Sequence, residues 1–130
     1  MSATANIALV RRFYDANGDP AVVAELMASD IVWDVTPGFP LGGVYRGFQS
    51  VASDFFGAMP QSWTSFRAQG EEFFADAEDH VTALGHYHAT ARNGKAVTPR
   101  FIHIWTVRDG KLVHLQQAAD SAVARDALAG

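Results

Sequence analysis

The stretch FIHIWTVRDGKLVHLQQAAD, residues 101–120, has two runs of alternating apolar and polar residues on either side of Asp109-Gly110. An Asp-Gly pair between such runs is a strong signal for a hairpin with a two-residue type I′ turn. Asn93-Gly94 gives the same signal between residues 80–92 and 95–108. With a further strand-like run over residues 62–76, the pattern predicts an antiparallel meander of four strands.

The N-terminal half favours helices. Apolar residues recur at three- and four-residue spacing over residues 5–17, the period of a helix that buries one face. Asp19 and Pro20 then fit the N-cap and first position of a short second helix. A strand, IVWDV, and a Gly/Pro-rich irregular loop precede a third helix over residues 48–59. Three helices followed by a meander predict an α+β fold.

Composition limits the function classes. The 130 residues suffice for one domain, and 48% hydrophobic against 18% charged residues is typical of a globular chain. A formal net charge of -4 argues against nucleic acid as a partner. There is no cysteine, and the N-terminal residues contain no apolar run long enough for a signal peptide or membrane span, so we expect a cytoplasmic protein without a membrane partner.

Two-residue turns at both hairpins would fix which side chains share a face of the sheet. The inner face, predicted to be the wall of a pocket, then carries Val81, Ala83, Gly85, Tyr87, Ala89, Ile102, Ile104, Thr106, Val113, Leu115 and Gln117. The outer face, predicted to be a homodimer interface, carries Leu84, His86, His88, Phe101, His103, Trp105, His114 and Gln116. A bulge at Pro99 is the open alternative, and it would place His86 and His88 on the same face as Ile102.

Four segments resemble a known superfamily: VRRFYDANGD (10–19), ASDIVWDVTPGFPLGGVYRG (28–47), HIWTVRDGKLV (103–113) and QQAAD (116–120). They are similar to nuclear transport factor 2, ketosteroid isomerase, scytalone dehydratase and the SnoaL-like polyketide cyclases. The resemblance implies one SnoaL-like domain over residues 1–130, a cone-shaped barrel of a curled antiparallel sheet packed on three N-terminal helices. It also implies a small-molecule function without a cofactor.

The resemblance suggests particular catalytic residues. The general base of ketosteroid isomerase falls at Val35 and its oxyanion acid at Ile102, so that constellation is not expected here. The Asp that SnoaL-like cyclases use as a base corresponds to Asp120. The scytalone dehydratase pattern suggests Tyr14 and Asp15 and, if the bulge at Pro99 occurs, two strand histidines at His103 and at His86 or His88. We therefore predict Asp120 and His103 as catalytic residues.

An apolar cavity with a few polar groups is expected from the remaining candidates. Those predicted to bind substrate are Tyr14, Trp33, Phe39, Phe55, Trp63, Tyr87, Ile102 and Gln117. No metal site is predicted, because the strand histidines have no accompanying carboxylate or thiolate. The glycines of the irregular loop match neither a phosphate-binding nor a dinucleotide-binding motif.

The sequence leaves three functions open. The first is a cofactor-independent isomerase, cyclase or dehydratase that transfers a proton on a carbonyl-containing hydrophobic substrate, with Asp120 as base. The second is a binder of a hydrophobic ligand without catalysis. The third is a dimeric assembly module that associates through the face carrying His86, His88, His103, Trp105 and His114.

Overall fold

A computed structural model describes residues 2–130. Its helices are α1 (Ala3–Ala16), α2 (Pro20–Leu26), α3 (Phe48–Ser50) and α4 (Ser121–Ala129), and α3 continues as a π-helical turn (Val51–Phe55) and a 3₁₀ segment (Phe56–Gln61). The strands are β1 (Met27–Val35), β2 (Gly43–Arg46), β3 (Trp63–Ala75), β4 (His80–Ala91), β5 (Ala96–Val97), β6 (Arg100–Arg108) and β7 (Lys111–Ala119).

The strands form one curled sheet in the order β2-β1-β7-β6-β4-β3, with β5 beside β4. The α+β class is confirmed, but the sheet is mixed and does not close, because β1 runs parallel to β7 while the other pairs are antiparallel. Two elements were not predicted: β2, which lies in the Gly/Pro-rich segment, and α4, which follows Asp120. No helix of residues 2–130 has the length and apolar character needed to span a bilayer.

The two predicted hairpins differ in their turns. The β6–β7 hairpin has the expected two-residue turn, because Asp109 and Gly110 have φ of 52° and 72° and Arg108 lies opposite Lys111. After β4, the Ala91 N–H donates to the Lys95 carbonyl at 2.8 Å, so the loop contains three residues, 92–94. Within that loop only Gly94 has a positive φ, of 93°. The prediction of a two-residue turn at Asn93-Gly94 is therefore wrong.

The additional loop residue exchanges the two faces of β6. It places His86 opposite Arg100 instead of Phe101, and a shift of one residue turns every side chain of a strand to the other side. His103 and Trp105 are consequently buried, whereas Ile102 is 43% exposed on the outer face. The predicted inner position of Ile102 and outer positions of His103 and Trp105 are wrong.

The same shift of register changes the predicted face of further residues. Phe101 is buried in the core and Ile104 is exposed on the outer face, the reverse of the prediction. His86 and His88 share the outer face with Ile102, as in the alternative arrangement, but the three-residue loop causes this. The pairing of β4 with β5 before Pro99 and with β6 after it keeps one register, so no bulge occurs there. One irregularity does occur in β7, where Val113 is the extra residue between the partners of Thr106 and Val107.

A close approach at Gly85 makes room for the centre of the core. Gly85 lies on the inner face, and a Cβ there would be 2.7 Å from Cζ of Phe101 and would overlap the Gln69 carbonyl. The Phe101 ring uses this space and stacks on the His103 imidazole, with 3.9 Å between ring centroids and 14° between planes. A side chain at residue 85 would therefore displace the ring that supports His103.

We expect Gly85→Ala to lower the free energy of unfolding by about 1–3 kcal/mol, because the added methyl group overpacks a filled core. Urea denaturation measures the change. Gly57→Ala is the matched control, since a Cβ there would lie 3.4 Å from the nearest atom, the Ala52 carbonyl oxygen. Equal stability of the Gly85→Ala protein and the wild type would show that the core can absorb the methyl group.

Candidate functional site

A cavity of about 120 Å³ lies among the helices and the concave face of the sheet. Aromatic side chains make up much of its lining: Phe13, Trp33, Phe39, Phe55, Phe56 and Phe66. The polar and charged residues of the lining are Tyr14, Asn17, Arg67, Tyr87, His103 and Gln117. No Asp or Glu of residues 2–130 belongs to the lining, so any chemistry in the cavity depends on these groups.

The polar side chains of the cavity are joined in one hydrogen-bonded chain. His103 lies at its centre, with Nδ1 2.6 Å from the Tyr14 hydroxyl and Nε2 2.7 Å from the Tyr87 hydroxyl. The Trp105 indole N–H donates to the Tyr14 hydroxyl oxygen, and the Gln117 amide donates to that of Tyr87, both at 2.9 Å. Every member of this chain is buried.

The residues of this hydrogen-bonded chain come from distant parts of the sequence. Tyr14 lies in the last turn of α1, Tyr87 in β4, His103 and Trp105 in β6, and Gln117 in β7. Alternation along the strands turns these strand residues to the inner face. The amide of Gln117 has a fixed orientation, because its Oε1 accepts a hydrogen bond from the Thr36 N–H at 3.1 Å, which leaves Nε2 toward Tyr87.

Burial determines the protonation of the three central groups. It lowers the pKa of His103 to about 3, because a charged imidazole there would lose its hydration. It raises the pKa of Tyr14 and of Tyr87 and outweighs the hydrogen bonds from Trp105 and Gln117, which act in the opposite direction. At neutral pH these three groups of the hydrogen-bonded chain are therefore one neutral imidazole and two neutral hydroxyls.

Most of the predicted substrate-binding residues meet at this cavity. The lining contains Tyr14, Trp33, Phe39, Phe55, Tyr87 and Gln117, together with the predicted catalytic His103. Trp63 is buried, but it packs on Phe66 with 5.4 Å between ring centroids and does not line the cavity. Ile102 lies on the opposite face of the sheet. Trp105 was missed as a member of the site because the predicted register placed it outside.

Asp120 lies away from the cavity lining. Its side chain is exposed and accepts a hydrogen bond from the Val123 N–H at 3.2 Å, and its own N–H donates to the Arg100 carbonyl at 2.9 Å. This is the geometry of a helix N-cap, here for α4. The structure therefore gives the carboxylate a capping position and does not bring it to His103.

The remaining strand histidines do not form a metal site. Residues 2–130 contain no group of three His, Cys, Asp or Glu side chains that could hold a metal ion. His86 pairs with Glu71 at 3.0 Å and His88 with Gln69 at 2.7 Å. The single histidine-rich face predicted for dimerisation does not exist as such, since His103 and Trp105 point into the core.

Comparison with known proteins identifies the family. A model of the SnoaL-like domain matches residues 10–115, most of the chain. The chain belongs to the SnoaL-like family. The match includes Tyr14, Tyr87 and His103, and ends just before Gln117. The search of curated proteins gave no match.

Several solved structures are similar to this chain over nearly its whole length. An NTF2-like protein of unknown function from Burkholderia pseudomallei K96243 is 27% identical, with a TM-score of 0.88 and coverage of 97% of this chain and 98% of the other. An NTF2-like protein from Burkholderia thailandensis E264 is 30% identical, with a TM-score of 0.84 and coverage of 94% and 95%. A candidate SnoaL-like polyketide cyclase from Jannaschia sp. CCS1 shares the fold at 16% identity, with a TM-score of 0.81 and coverage of 98% and 94%. Together these structures show that the chain has the fold of the NTF2-like proteins.

The buried imidazole predicts a pH dependence of stability for this SnoaL-like domain. An unfolded chain binds a proton at His103 near pH 6.5, whereas the folded chain binds it only near pH 3. Between these values the unfolded state holds more protons, so the free energy of unfolding should fall with decreasing pH by up to about 1.4 kcal/mol per unit from this residue. Urea denaturation at pH 7, 6, 5 and 4 measures the slope.

His103→Gln should remove this component, because an amide does not titrate, whereas His88→Gln on the outer face should keep it. NMR titration of the His103 ring in the wild type gives the pKa directly. Equal slopes for wild type and His103→Gln, or an imidazole that titrates near 6.5, would contradict a buried neutral histidine.

Proposed function

We propose that the protein binds a hydrophobic, carbonyl-containing small molecule in the aromatic cavity and promotes proton transfer on it without a cofactor. Isomerisation, cyclisation and dehydration are reactions of this class. The observation that carries the proposal is the Tyr14–His103–Tyr87 chain, which is the main polar feature of an otherwise aromatic cavity. Membership in the SnoaL-like family supports the general type of activity.

The cavity limits the size of the group that it can hold. An engineered apolar cavity of about 150 Å³ binds benzene, so a volume of about 120 Å³ suits a part of a ligand no larger than one ring. The aromatic side chains would pack on the faces and edges of such a ring. We therefore expect one flat ring inside, with larger substituents directed toward the exposed residues of the lining, Asn17 and Arg67.

The chemistry would act on the oxygen end of the substrate. Removal of a proton next to a carbonyl places negative charge on the carbonyl oxygen, and a tyrosine hydroxyl in a dry site can stabilise that charge by hydrogen bonding. The His103 imidazole would hold the hydroxyls in position. Since no carboxylate of residues 2–130 lines the cavity, the base that removes the proton from carbon would be water or a solute that enters from the solvent side.

Hydrogen exchange of a simple ketone tests this function without knowledge of the natural substrate. We expect the wild type to accelerate exchange of the α-hydrogens of 2-indanone in D₂O, followed by NMR. Tyr14→Phe/Tyr87→Phe should lose about 10²-fold of that acceleration, the usual effect of removing an oxyanion donor. Asp120→Asn should retain it, because residue 120 does not line the cavity.

Two results would change the assignment. If 2-indanone binds but exchanges at the rate of buffer alone, the protein is a hydrophobic-ligand binder, the second function that the sequence left open. If Asp120→Asn loses the acceleration while it keeps the wild-type stability, the carboxylate acts as the base, as the resemblance to SnoaL-like cyclases implied.

We also infer that the outer face of the sheet pairs with a second copy of the chain. The exposed large hydrophobic side chains of residues 2–130 all lie on this face: Val44, Phe74, Ile102 and Ile104. The cross-strand neighbours of Ile102 and Ile104 are uncharged: Thr82, Leu84, Gln116 and Ala118. Charged side chains lie farther out on the same face, with Asp34 between Gln116 and Val44 and Glu72 opposite Leu84. The uncharged centre around Ile102 and Ile104 can face its own copy across a two-fold axis without repulsion between like charges.

We expect Ile104→Glu to convert a wild-type homodimer to a monomer, because two buried carboxylates would face each other near the axis. Sedimentation velocity at micromolar concentration measures the change. Ala24→Glu adds the same charge at an exposed position of α2 and should leave the dimer intact. A monomeric wild type at this concentration would exclude the interface.

A further inference from the structure

The hydrogen-bonded chain has one hydroxyl hydrogen more than its imidazole can accept. A neutral imidazole has one N–H, which donates, and one bare nitrogen, which accepts. Both nitrogens of His103 lie within hydrogen-bond distance of a tyrosine hydroxyl. Only one tyrosine can therefore donate to His103, and the other must accept from it.

The two tautomers of His103 give two arrangements of the same heavy atoms. With the proton on Nδ1, the imidazole donates to Tyr14 and accepts from Tyr87, and the Tyr14 hydroxyl hydrogen has no partner in the chain. With the proton on Nε2, the roles are reversed and the Tyr87 hydroxyl hydrogen is left over. A shift of the imidazole proton thus moves the spare hydrogen from one tyrosine to the other.

The spare hydroxyl can only donate. In the first arrangement the Tyr14 oxygen accepts from both Trp105 and His103, and in the second the Tyr87 oxygen accepts from both Gln117 and His103. An oxygen that accepts two hydrogen bonds has no lone pair left for a ligand, and the two accepted bonds strengthen its own donation. The hydrogen bonds of residues 2–130 include no other acceptor for either hydroxyl.

Two further polar groups of the lining, on Trp33 and Arg67, can also only donate, whereas the exposed Asn17 amide can donate or accept. The Trp33 indole N–H is buried without an acceptor among residues 2–130, and Trp33 lines the same cavity. Its ring is surrounded by Phe13, Phe55 and Phe56, at 5.5–6.0 Å between centroids, which offer no oxygen. The one charged residue of the lining within the described chain is the cation Arg67.

We propose that the cavity selects a ligand whose oxygen carries no hydrogen, a ketone, a quinone or an oxyanion, which accepts the one spare tyrosine hydrogen. The tautomer of His103 determines whether Tyr14 or Tyr87 has this spare hydrogen. Ligand binding to one of the two tyrosines is therefore coupled to the position of the imidazole proton. This rests on the proposed function, since it names the oxygen chemistry of the same site. A ligand hydroxyl would bring a further hydrogen to a site that already has one too many.

Acetophenone and α-methylstyrene provide matched probes, because they differ in shape only by a carbonyl oxygen in place of a CH₂ group. Calorimetry or ligand-detected NMR gives both dissociation constants. The hydrocarbon loses less hydration on binding, so the two dissociation constants differ even without a hydrogen bond to the protein. The informative quantity is therefore the change in their ratio that a substitution causes. The carbonyl stretch of bound acetophenone reports hydrogen bonding independently of affinity.

We expect the stretch of bound acetophenone to lie below its value in a hydrocarbon solvent. Tyr14→Phe and Tyr87→Phe should each weaken acetophenone relative to α-methylstyrene by about fivefold, because the remaining hydroxyl must serve both the imidazole and the ligand. Asp120→Asn should not change the ratio. Acetophenone, but not α-methylstyrene, should shift the tautomer populations seen in the ¹⁵N spectrum of His103.

Each other outcome has a distinct meaning. If both probes bind but the carbonyl stretch matches that in hydrocarbon, the donor inference is overturned while the cavity remains a binding site. If only one tyrosine affects the ratio and the His103 tautomer does not respond, the coupling through the imidazole is wrong. If neither probe binds, the proposed function itself fails, because the cavity does not accept a ring of the size that its volume allows.

Discussion

A neutral imidazole held between two phenols is the constraint on which the interior depends. A buried polar group without partners costs free energy comparable to a lost hydrogen bond, and His103 needs both a donor and an acceptor at opposite sides of its ring. Tyr14 and Tyr87 supply them from α1 and β4, so the helical layer is tied to the sheet by hydrogen bonds as well as by apolar packing. The Phe101 ring, stacked on the imidazole, and Gly85, which makes room for that ring, complete the arrangement.

The same arrangement gives the buried part of the cavity an excess of hydrogen-bond donors. Its walls are aromatic, its imidazole remains uncharged over the physiological range, and its polar groups are organised around hydrogen donation. Under the proposed selectivity, such a site would distinguish ligands by whether their oxygen can accept a hydrogen bond, more than by their charge. It also explains why the chain can keep a histidine at the centre of its core, since hydrogen bonds on both nitrogens replace the water that the ring loses.

The fold could be predicted from the sequence much better than the faces of the sheet. Apolar periodicity, the Asp19-Pro20 helix start and the Asp109-Gly110 turn sufficed for the α+β class, and the resemblance of four segments indicated the family. Strand alternation in β1 and β4 correctly predicted that Trp33 and Tyr87 face the cavity, and helical spacing did so for Phe55. The inner side of β6 was predicted wrongly, because Asn-Gly is compatible with loops of two and of three residues. The dipeptide alone does not indicate which of the two loop lengths tertiary packing selects. Asp120 could not be assigned either, since the sequence signal for a base at a strand end is the same as that for a helix N-cap.

The loop of residues 92–94 has a second attachment. The Asn93 side chain donates to the Ala127 carbonyl at 2.8 Å, near the end of α4. One short loop thus sets which side of β6 faces inward and also holds the last helix. Deletion of Asn93 would shorten the loop to two residues, the length for which β6 turns Ile102 and Ile104 inward and His103 outward, and would remove one hydrogen bond that holds α4. We therefore expect related chains to keep the length of this loop, even where the loop residues themselves vary.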